Sequence, residues 1–349
     1  MELTSRRLPI AAAVLLLALS GFAQTLTLKV AGASRTVVLH VPTGTLTNPP
    51  LVFLLHGLGG DGPGMESTTQ MDPVADREKF IVAYPSAVGG TWDYAGAKND
   101  YAFLQAIIDT AVARYKVDRN RVYMSGFSQG GGEAVYAAFR NPDVYAAVAP
   151  VSSVGSGSPN PSRPIPIFLT FGTNDIYTPA TFMASVAGWL KLDSCSTTPT
   201  VVRPYPATNP KSVVTRLSYG NCAQGTEVVA DSIQGGPHEW PNNTATKVNN
   251  AEEVWAFFKK FTLNRGSTSL HDGSAAASPP ISATYRAGVV SIRGVNESCP
   301  VRVLDTRGAV VATTTAIHGE FALPTSPRGI LLIEAGQGTD RRSIRLVVP

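Results

Sequence analysis

Arg121-Val122-Tyr123-Met124-Ser125-Gly126-Phe127-Ser128-Gln129-Gly130-Gly131-Gly132-Glu133-Ala134-Val135-Tyr136 is the stretch on which the fold turns. Val122 to Met124 is a short apolar run that reads as a buried strand, and Gln129 to Phe139 is a helix candidate. Between them, Gly126-Phe127-Ser128-Gln129-Gly130 has the Gly-x-Ser-x-Gly form of a nucleophile elbow. A sharp strand-to-helix turn lifts the serine oxygen clear of a sheet, and small flanking residues keep it from colliding with neighbouring backbone. Gly131 and Gly132 each cost a helix about 1 kcal/mol relative to Ala, so close packing or substrate approach explains them better than propensity does.

Outward from the elbow, all-apolar runs recur at Leu51 to Leu55, Phe80 to Ala83, Ala146 to Val151 and Ile165 to Phe171. Runs without alternation belong to a sheet covered on both faces. Asn99 to Tyr115 places Phe103, Ile107, Ile108 and Ala111 on one helical face, so strands alternate with helices. The expectation is an α/β fold: three layers around a mostly parallel sheet. Upstream, Thr25 to Val30 and Arg35 to Val41 alternate around Ala31-Gly32-Ala33 and predict an antiparallel edge. Downstream, a helix is expected from Ala251 to Phe261, capped by Asn250, with Glu252 and Glu253 in its first turn and Lys259 and Lys260 in its last.

The remaining segments have different textures. Residues 1–23 carry Arg6 and Arg7, an apolar stretch from Leu8 to Leu19, and Gly21-Phe22-Ala23 at the end, the pattern of a secretory signal peptide. Its apolar core is shorter than the ~20 residues that cross a bilayer, and no second long apolar run follows, so an exported mature chain without an integral membrane segment is expected. The main domain then runs over 24–264. Residues 265–280, rich in Ser, Gly and Ala and closing on Pro279-Pro280, suit a linker. Residues 281–349 alternate as strands, at Val289 to Ile292, Val301 to Leu304, Ile330 to Ile333 and Ile344 to Val347, and predict a small β-sandwich.

Composition removes several function classes. The 349 residues carry 29 Lys plus Arg against 25 Asp plus Glu, a net charge of +4 that is no nucleic-acid signature. At 44% hydrophobic residues the chain can bury a full core, which excludes intrinsic disorder. Three cysteines rule out a disulfide-built mini-fold and a repeated Cys-x-x-Cys zinc cluster.

A serine hydroxyl needs a base, almost always histidine, and the elbow architecture orders the residues as nucleophile, acid, base. Of the five histidines, His40 and His56 come too early, His271 lies in the linker and His318 in the tail. His238 remains, in the loop Gly235-Gly236-Pro237-His238-Glu239-Trp240-Pro241 after a strand-like run. The acid must come from Glu133, Asp143, Asp175, Asp193, Glu227 or Asp231; Asp175 is preferred because a short turn separates it from the buried run ending at Phe171. Oxyanion donors are expected from the amide of Leu58, or its neighbour Gly57, in His56-Gly57-Leu58-Gly59-Gly60, together with the amide of Gln129. His56 has no second ligand at metal spacing, so neither a metal nor any other cofactor is implied. Trp189 and Trp255 fall on helices as core residues, whereas Trp92 and Trp240 lie on loops expected near the site, where they either stack a sugar or a phenolic acyl group or pack as part of the wall.

His56-Gly57-Leu58-Gly59-Gly60, Val117-Asp118-Arg119-Asn120-Arg121-Val122-Tyr123 before the elbow, and Gly236-Pro237-His238-Glu239-Trp240-Pro241 together resemble the polyhydroxybutyrate depolymerase-like family 1 carbohydrate esterases. The likeness spans roughly residues 25 to 263. It implies an α/β-hydrolase fold with Ser128 as nucleophile, Asp175 as acid and His238 as base, the same three residues that order and spacing select. It also implies a disulfide between Cys195 and Cys222, with Cys299 left single. The implied activity is a secreted serine esterase that removes feruloyl or acetyl groups from hemicellulose, with an extracellular polyhydroxyalkanoate depolymerase as the alternative within that family. A non-catalytic surface-binding protein is the alternative of another class. Residues 281–349 look similar to C-terminal sorting domains of bacterial type IX secretion, which would make the secretion machinery a partner beside the ester-decorated polysaccharide. With Tyr285 and Phe321 as its aromatics and no Trp, the tail makes a poor cellulose platform.

Overall fold

A computed structural model describes residues 21–94, 98–154, 161–242, 244–263, 282–286, 289–293, 298–305, 310–323, 329–335 and 342–348. Residues 1–20 of the expected signal segment, the expected linker and His271 lie outside the described residues. The chain divides into two compact units, Met1–Ser267 and Thr268–Pro349.

The strands of the first unit are β1 (Phe22–Val30), β2 (Ala33–Val41), β3 (Leu51–Leu55), β4 (Ile81–Pro85), β5 (Val122–Phe127), β6 (Ala147–Val151), β7 (Ile167–Gly172), β8 (Thr200–Val202), β9 (Val214–Tyr219) and β10 (Val228–Ile233). Its helices are α1 (Gly62–Thr69), α2 (Asp72–Glu78), α3 (Asp100–Tyr115), α4 (Gln129–Arg140), α5 (Pro179–Leu192) and α6 (Asn250–Phe258). The strands form one sheet in the order β1-β2-β4-β3-β5-β6-β7-β10-β9-β8. Its six central strands, β4 to β10 in that order, are parallel, and an antiparallel pair closes each edge.

Every residue of β3, β4 and β6 is buried, as their unbroken apolar runs require. Successive side chains leave a strand on opposite faces. Phe53, Leu55 and Met124 therefore pack with Phe103, Ile107 and Trp189 on one side, while Val52, Leu54 and Tyr123 pack with Met65, Val74 and Trp255 on the other. Truncating a side chain such as Phe53 to Ala would cost about 3–5 kcal/mol, because a close-packed wall cannot collapse into the void.

The face expected of α3 is the face it buries: Phe103, Ile107, Ile108 and Ala111. The cap of α6 is displaced by one residue. Asn249 caps it, accepting from Ala251 N–H at 3.1 Å, whereas Asn250 sits inside the helix and accepts from the Thr170 hydroxyl at 2.9 Å. Either asparagine can cap, and the buried Thr170 claims the second. The helix also ends at Phe258, which leaves Lys259 and Lys260 in the turn just beyond it. Cys195 and Cys222 are joined, tying the segment after α5 to the segment before β10.

The second unit holds β11 (Ser282–Arg286), β12 (Val289–Arg293), β13 (Ser298–Leu304), β14 (Val310–Ile317), β15 (Glu320–Ala322), β16 (Gly329–Ala335) and β17 (Arg342–Val348). They pair antiparallel in the order β11-β12-β15-β14-β13-β16-β17, and the two end strands approach each other. The small sandwich is thus one continuous sheet curled over its own core of Val290, Ile292, Val301, Val303, Leu331, Ile333 and Leu346, with Cys299 a buried free thiol within it.

Candidate active site

Ser128 stands between the last residue of β5 and the first of α4 with φ 54° and ψ −120°, a backbone region that non-glycine residues rarely occupy. Close approach on both sides enforces this turn. A Cβ on Gly126 would overlap the Gly130 carbonyl oxygen, and one on Gly130 would overlap the Leu55 carbonyl oxygen. The helix glycines beyond have the same reason for being small: Gly131 lies against Ser153, and Gly132 against the Tyr94 hydroxyl.

β7 and β10 are parallel neighbours, so the loops that leave their carboxyl ends run together. The Asn174 amide donates to the Gly236 carbonyl at 2.9 Å, and the Gly235 amide to the Thr173 hydroxyl at 2.8 Å. These bonds fix the loops that carry Asp175 and His238. His238 Nδ1 lies 2.8 Å from Asp175 Oδ1, and its Nε2 lies 2.8 Å from Ser128 Oγ. The carboxylate can only accept, so Nδ1 carries the proton and Nε2 is left to accept from the serine hydroxyl. Asp175 Oδ1 also accepts from the Tyr177 amide at 3.2 Å, and the carboxyl group is fully buried. Phe127 lies against the imidazole, 4.8 Å between ring centres, and Tyr177 meets it edge-on at 6.3 Å.

Three of the other acids considered from the sequence are engaged elsewhere. Asp193 accepts from the Ile165 amide at 3.1 Å, Asp231 holds Arg216 through two bonds of 2.7 and 2.6 Å, and Glu227 pairs with Lys260 at 2.6 Å. Asp143 lies in the segment between α4 and β6. Glu133 is fully buried in α4, and burial pushes its carboxyl up to about 8, so it is neutral at pH 7.

The loop 56–60, where oxyanion donors are expected, follows β3 and is braced from beneath. The His56 ring is buried; its Nδ1 lies 2.7 Å from the Gly57 carbonyl and its Nε2 accepts from the Ala87 amide at 3.0 Å. Both nitrogens are committed to main chain in the neutral form, and burial lowers the pKa of this ring. The Gly59 amide donates to the Gly90 carbonyl at 2.8 Å. Gln129 is the first residue of α4, where an amide has no acceptor within its own helix. Gly57 is close enough that a Cβ on it would stand 3.4 Å from Ser128 Cβ, which brings this loop and the elbow to one point.

Trp92 and Trp240 do not line the site as expected. They are 2% and 6% exposed and belong to the two cores on opposite faces of the sheet. Trp92 instead acts as a brace: its Nε1 donates to the His56 carbonyl at 2.8 Å and its amide to Gln129 Oε1 at 3.1 Å. Tyr94 adds a bond from its hydroxyl to the Gln129 carbonyl at 2.7 Å. The Gln129 side chain therefore links the elbow to the oxyanion loop through Trp92, a role no local pattern announces. Phe127 and Tyr177, which the sequence did not single out for this purpose, are the aromatics at the imidazole.

The arrangement can activate a serine oxygen, hold the imidazolium that results, and present main-chain donors to a developing oxyanion. Among the described residues no group of acids, histidines and cysteines could hold a metal ion. A larger groove, about 600 Å³, opens at the amino ends of the strands among Asp143, Arg163, Thr226 and Phe261. Its lining holds no serine, cysteine or histidine, so volume does not mark the chemistry here.

Residues 35–162 match the family model described as esterase, PHB depolymerase. A bifunctional acetylxylan esterase/xylanase of Neocallimastix patriciarum is 31% identical over 71% of this chain and 36% of its own length. Feruloyl esterase B of Piromyces equi is 28% identical over 66% of this chain and 46% of its own. The chain thus spans less than half the length of these two relatives. Among solved structures, an acetyl xylan esterase from Aspergillus awamori superposes with a TM-score of 0.55 at 18% identity, covering 68% of this chain and 99% of that one. The fold is that of the α/β hydrolases.

Proposed function

We propose that this protein is a serine carboxylic-ester hydrolase that removes acetyl or feruloyl groups from hemicellulose through an acyl-enzyme. The observation that carries the proposal is the continuous chain Ser128 Oγ, His238, Asp175, with both links at 2.8 Å, at the carboxyl edge of the sheet. Ser128 Oγ attacks the ester carbonyl while His238 Nε2 takes its proton. The carbonyl oxygen, now negative, points to the amides of Leu58 and Gln129, each donor worth roughly 10² to 10³ in rate. The imidazolium, held by Asp175, returns the proton to the departing alcohol, and water then repeats the sequence on the acyl-enzyme.

The relatives' names support the hemicellulose substrate, and the family model's description supports polyester cleavage as the competing reading. Side-by-side assays on acetylated xylan, methyl ferulate and polyhydroxybutyrate separate them; cleavage of the polyester alone would sink the hemicellulose assignment. Ser128→Ala should lower 4-nitrophenyl acetate hydrolysis at least 10⁴-fold, roughly the scale on which a missing nucleophile acts. Undiminished turnover would remove the serine mechanism, and an inactive wild type would favour a surface-binding protein. The protein is further proposed to be exported through its first 23 residues, with the second unit as a sorting domain for the secretion machinery. Recovery of the chain in the cell pellet after deletion of residues 281–349 is the expected result.

A further inference from the structure

We propose that the groove between the oxyanion loop and α1 is the subsite of the leaving alcohol, and that the alcohol it takes is a sugar ring; this rests on the esterase reading above. The groove encloses about 340 Å³ between Gly57 and Leu58 on one side and Asp61, Met65 and Thr68 on the other, with Phe127 at its inner end. Phe127 connects it to the chemistry. The ring lies 4.8 Å from the His238 imidazole, and a Cβ on Gly57 would stand 3.1 Å from Phe127 Cδ1 and 3.4 Å from Ser128 Cβ.

Proton balance sets the direction. The proton that His238 takes from Ser128 leaves on the alcohol oxygen, so the alcohol must lie on the imidazole side of the carbonyl carbon when the C–O bond breaks. The carbonyl oxygen is meanwhile turned to the amides of Leu58 and Gln129. Phe127 is the side chain that touches the imidazole and also lines a groove, which makes that groove the continuation of the leaving group's path. On α4 beyond the serine, Gly131 and Gly132 are covered by Ser153 and Tyr94.

The lining selects the class of alcohol. The exposed Leu58 side chain and Phe127 offer an apolar wall suited to the face of a pyranose ring. Asp61 is exposed and uses Oδ1 to accept from the Gly64 amide at 2.8 Å, while Oδ2 meets no donor among the described residues. The Thr68 hydroxyl donates to the Gly64 carbonyl at 2.7 Å and keeps its own lone pairs for an incoming donor. A sugar brings hydroxyl donors to these acceptors. A polyester chain brings none along its length, so covering the Asp61 carboxylate with it would desolvate a charge without compensation.

The test uses esters that share one acyl group: methyl acetate and an acetylated xylo-oligosaccharide. Thr68→Trp, which fills the groove from an exposed helix position, should lower the ratio of kcat/KM for the sugar ester over the methyl ester at least tenfold. Asp61→Asn, which still accepts from Gly64 but loses the charge, should lower the same ratio about threefold and serves as a second variant should the first not fold. Equal losses on both esters overturn the subsite, as does a greater loss on a hydroxybutyrate trimer than on the sugar ester. Inactivity of the wild type on every ester would instead remove the esterase reading on which the subsite rests.

Discussion

His56 and His238 stand at the same edge of one sheet, after β3 and β10, and both lie close to Ser128, yet their surroundings make them different reagents. The nitrogens of His56 face only main chain, the Gly57 carbonyl and the Ala87 amide, so its tautomer is locked and it has no proton to exchange. The nitrogens of His238 face a hydroxyl and a carboxylate, so one can take a proton while the other is stabilised. One ring is buried at 2% exposure; the other keeps 21% of its side chain open to the substrate side. A histidine at a strand's carboxyl end is therefore a base or a brace according to what its two nitrogens hold, a matter of partners distant in sequence.

The largest effect expected from breaking this comparison is His238→Ala, which should reduce kcat on 4-nitrophenyl acetate by roughly 10⁴ to 10⁶ with little loss of fold, since nucleophile and base act as a unit. Retention of more than a hundredth of the rate would mean another base serves Ser128. His56→Phe keeps a ring against Trp92 but leaves the Ala87 amide without its acceptor. It should cost about 1–3 kcal/mol in a denaturation experiment and lower kcat roughly 10- to 100-fold by loosening the oxyanion loop, less than losing a donor outright. The pH profile of kcat/KM should keep its midpoint, because His56 takes no part in proton transfer; a shifted midpoint would contradict the brace.

The smallest expected effect concerns a third buried group beside the site, Glu133, which titrates without taking part. Its folded value near 8 lies above its ordinary 4.5. The unfolded chain gives up the proton first, so the stability present below about pH 4.5 is lost progressively as pH rises to about 8. Glu133→Gln, neutral at every pH, should flatten that slope and raise the melting temperature at pH 8, with kcat nearly unmoved. An unchanged slope would show that the carboxyl group is ionised in the fold.

Legibility in the sequence follows the same division. The buried parallel strands, the face of α3 and the elbow were readable because each has a local signature: an unbroken apolar run, a helical period, or glycines flanking a serine. Ser128, His238 and Asp175 could be singled out because the order of nucleophile, acid and base is itself linear along the chain. Trp92 and Trp240 were misplaced for the opposite reason. Both sit on irregular segments with no period to tell inward from outward, and glycines or prolines nearby fit either direction. Residues 56, 92 and 129 form one brace although 37 positions separate Trp92 from Gln129. Nothing local in those residues records the contact.

The amino-acid sequence alone determined the layered architecture, the sharp turn at the serine and the residue types of the candidate site, because burial on both faces, backbone sterics and chain order are all written locally. The tertiary structure alone decided that two loop tryptophans are core, that one site-edge histidine faces only main chain while the other lies between a carboxylate and a hydroxyl, and that a groove with acceptors on its wall ends at Phe127, which lies against the imidazole. Those outcomes depend on which distant atoms a side chain meets, and in a loop without periodicity only the packed chain fixes that.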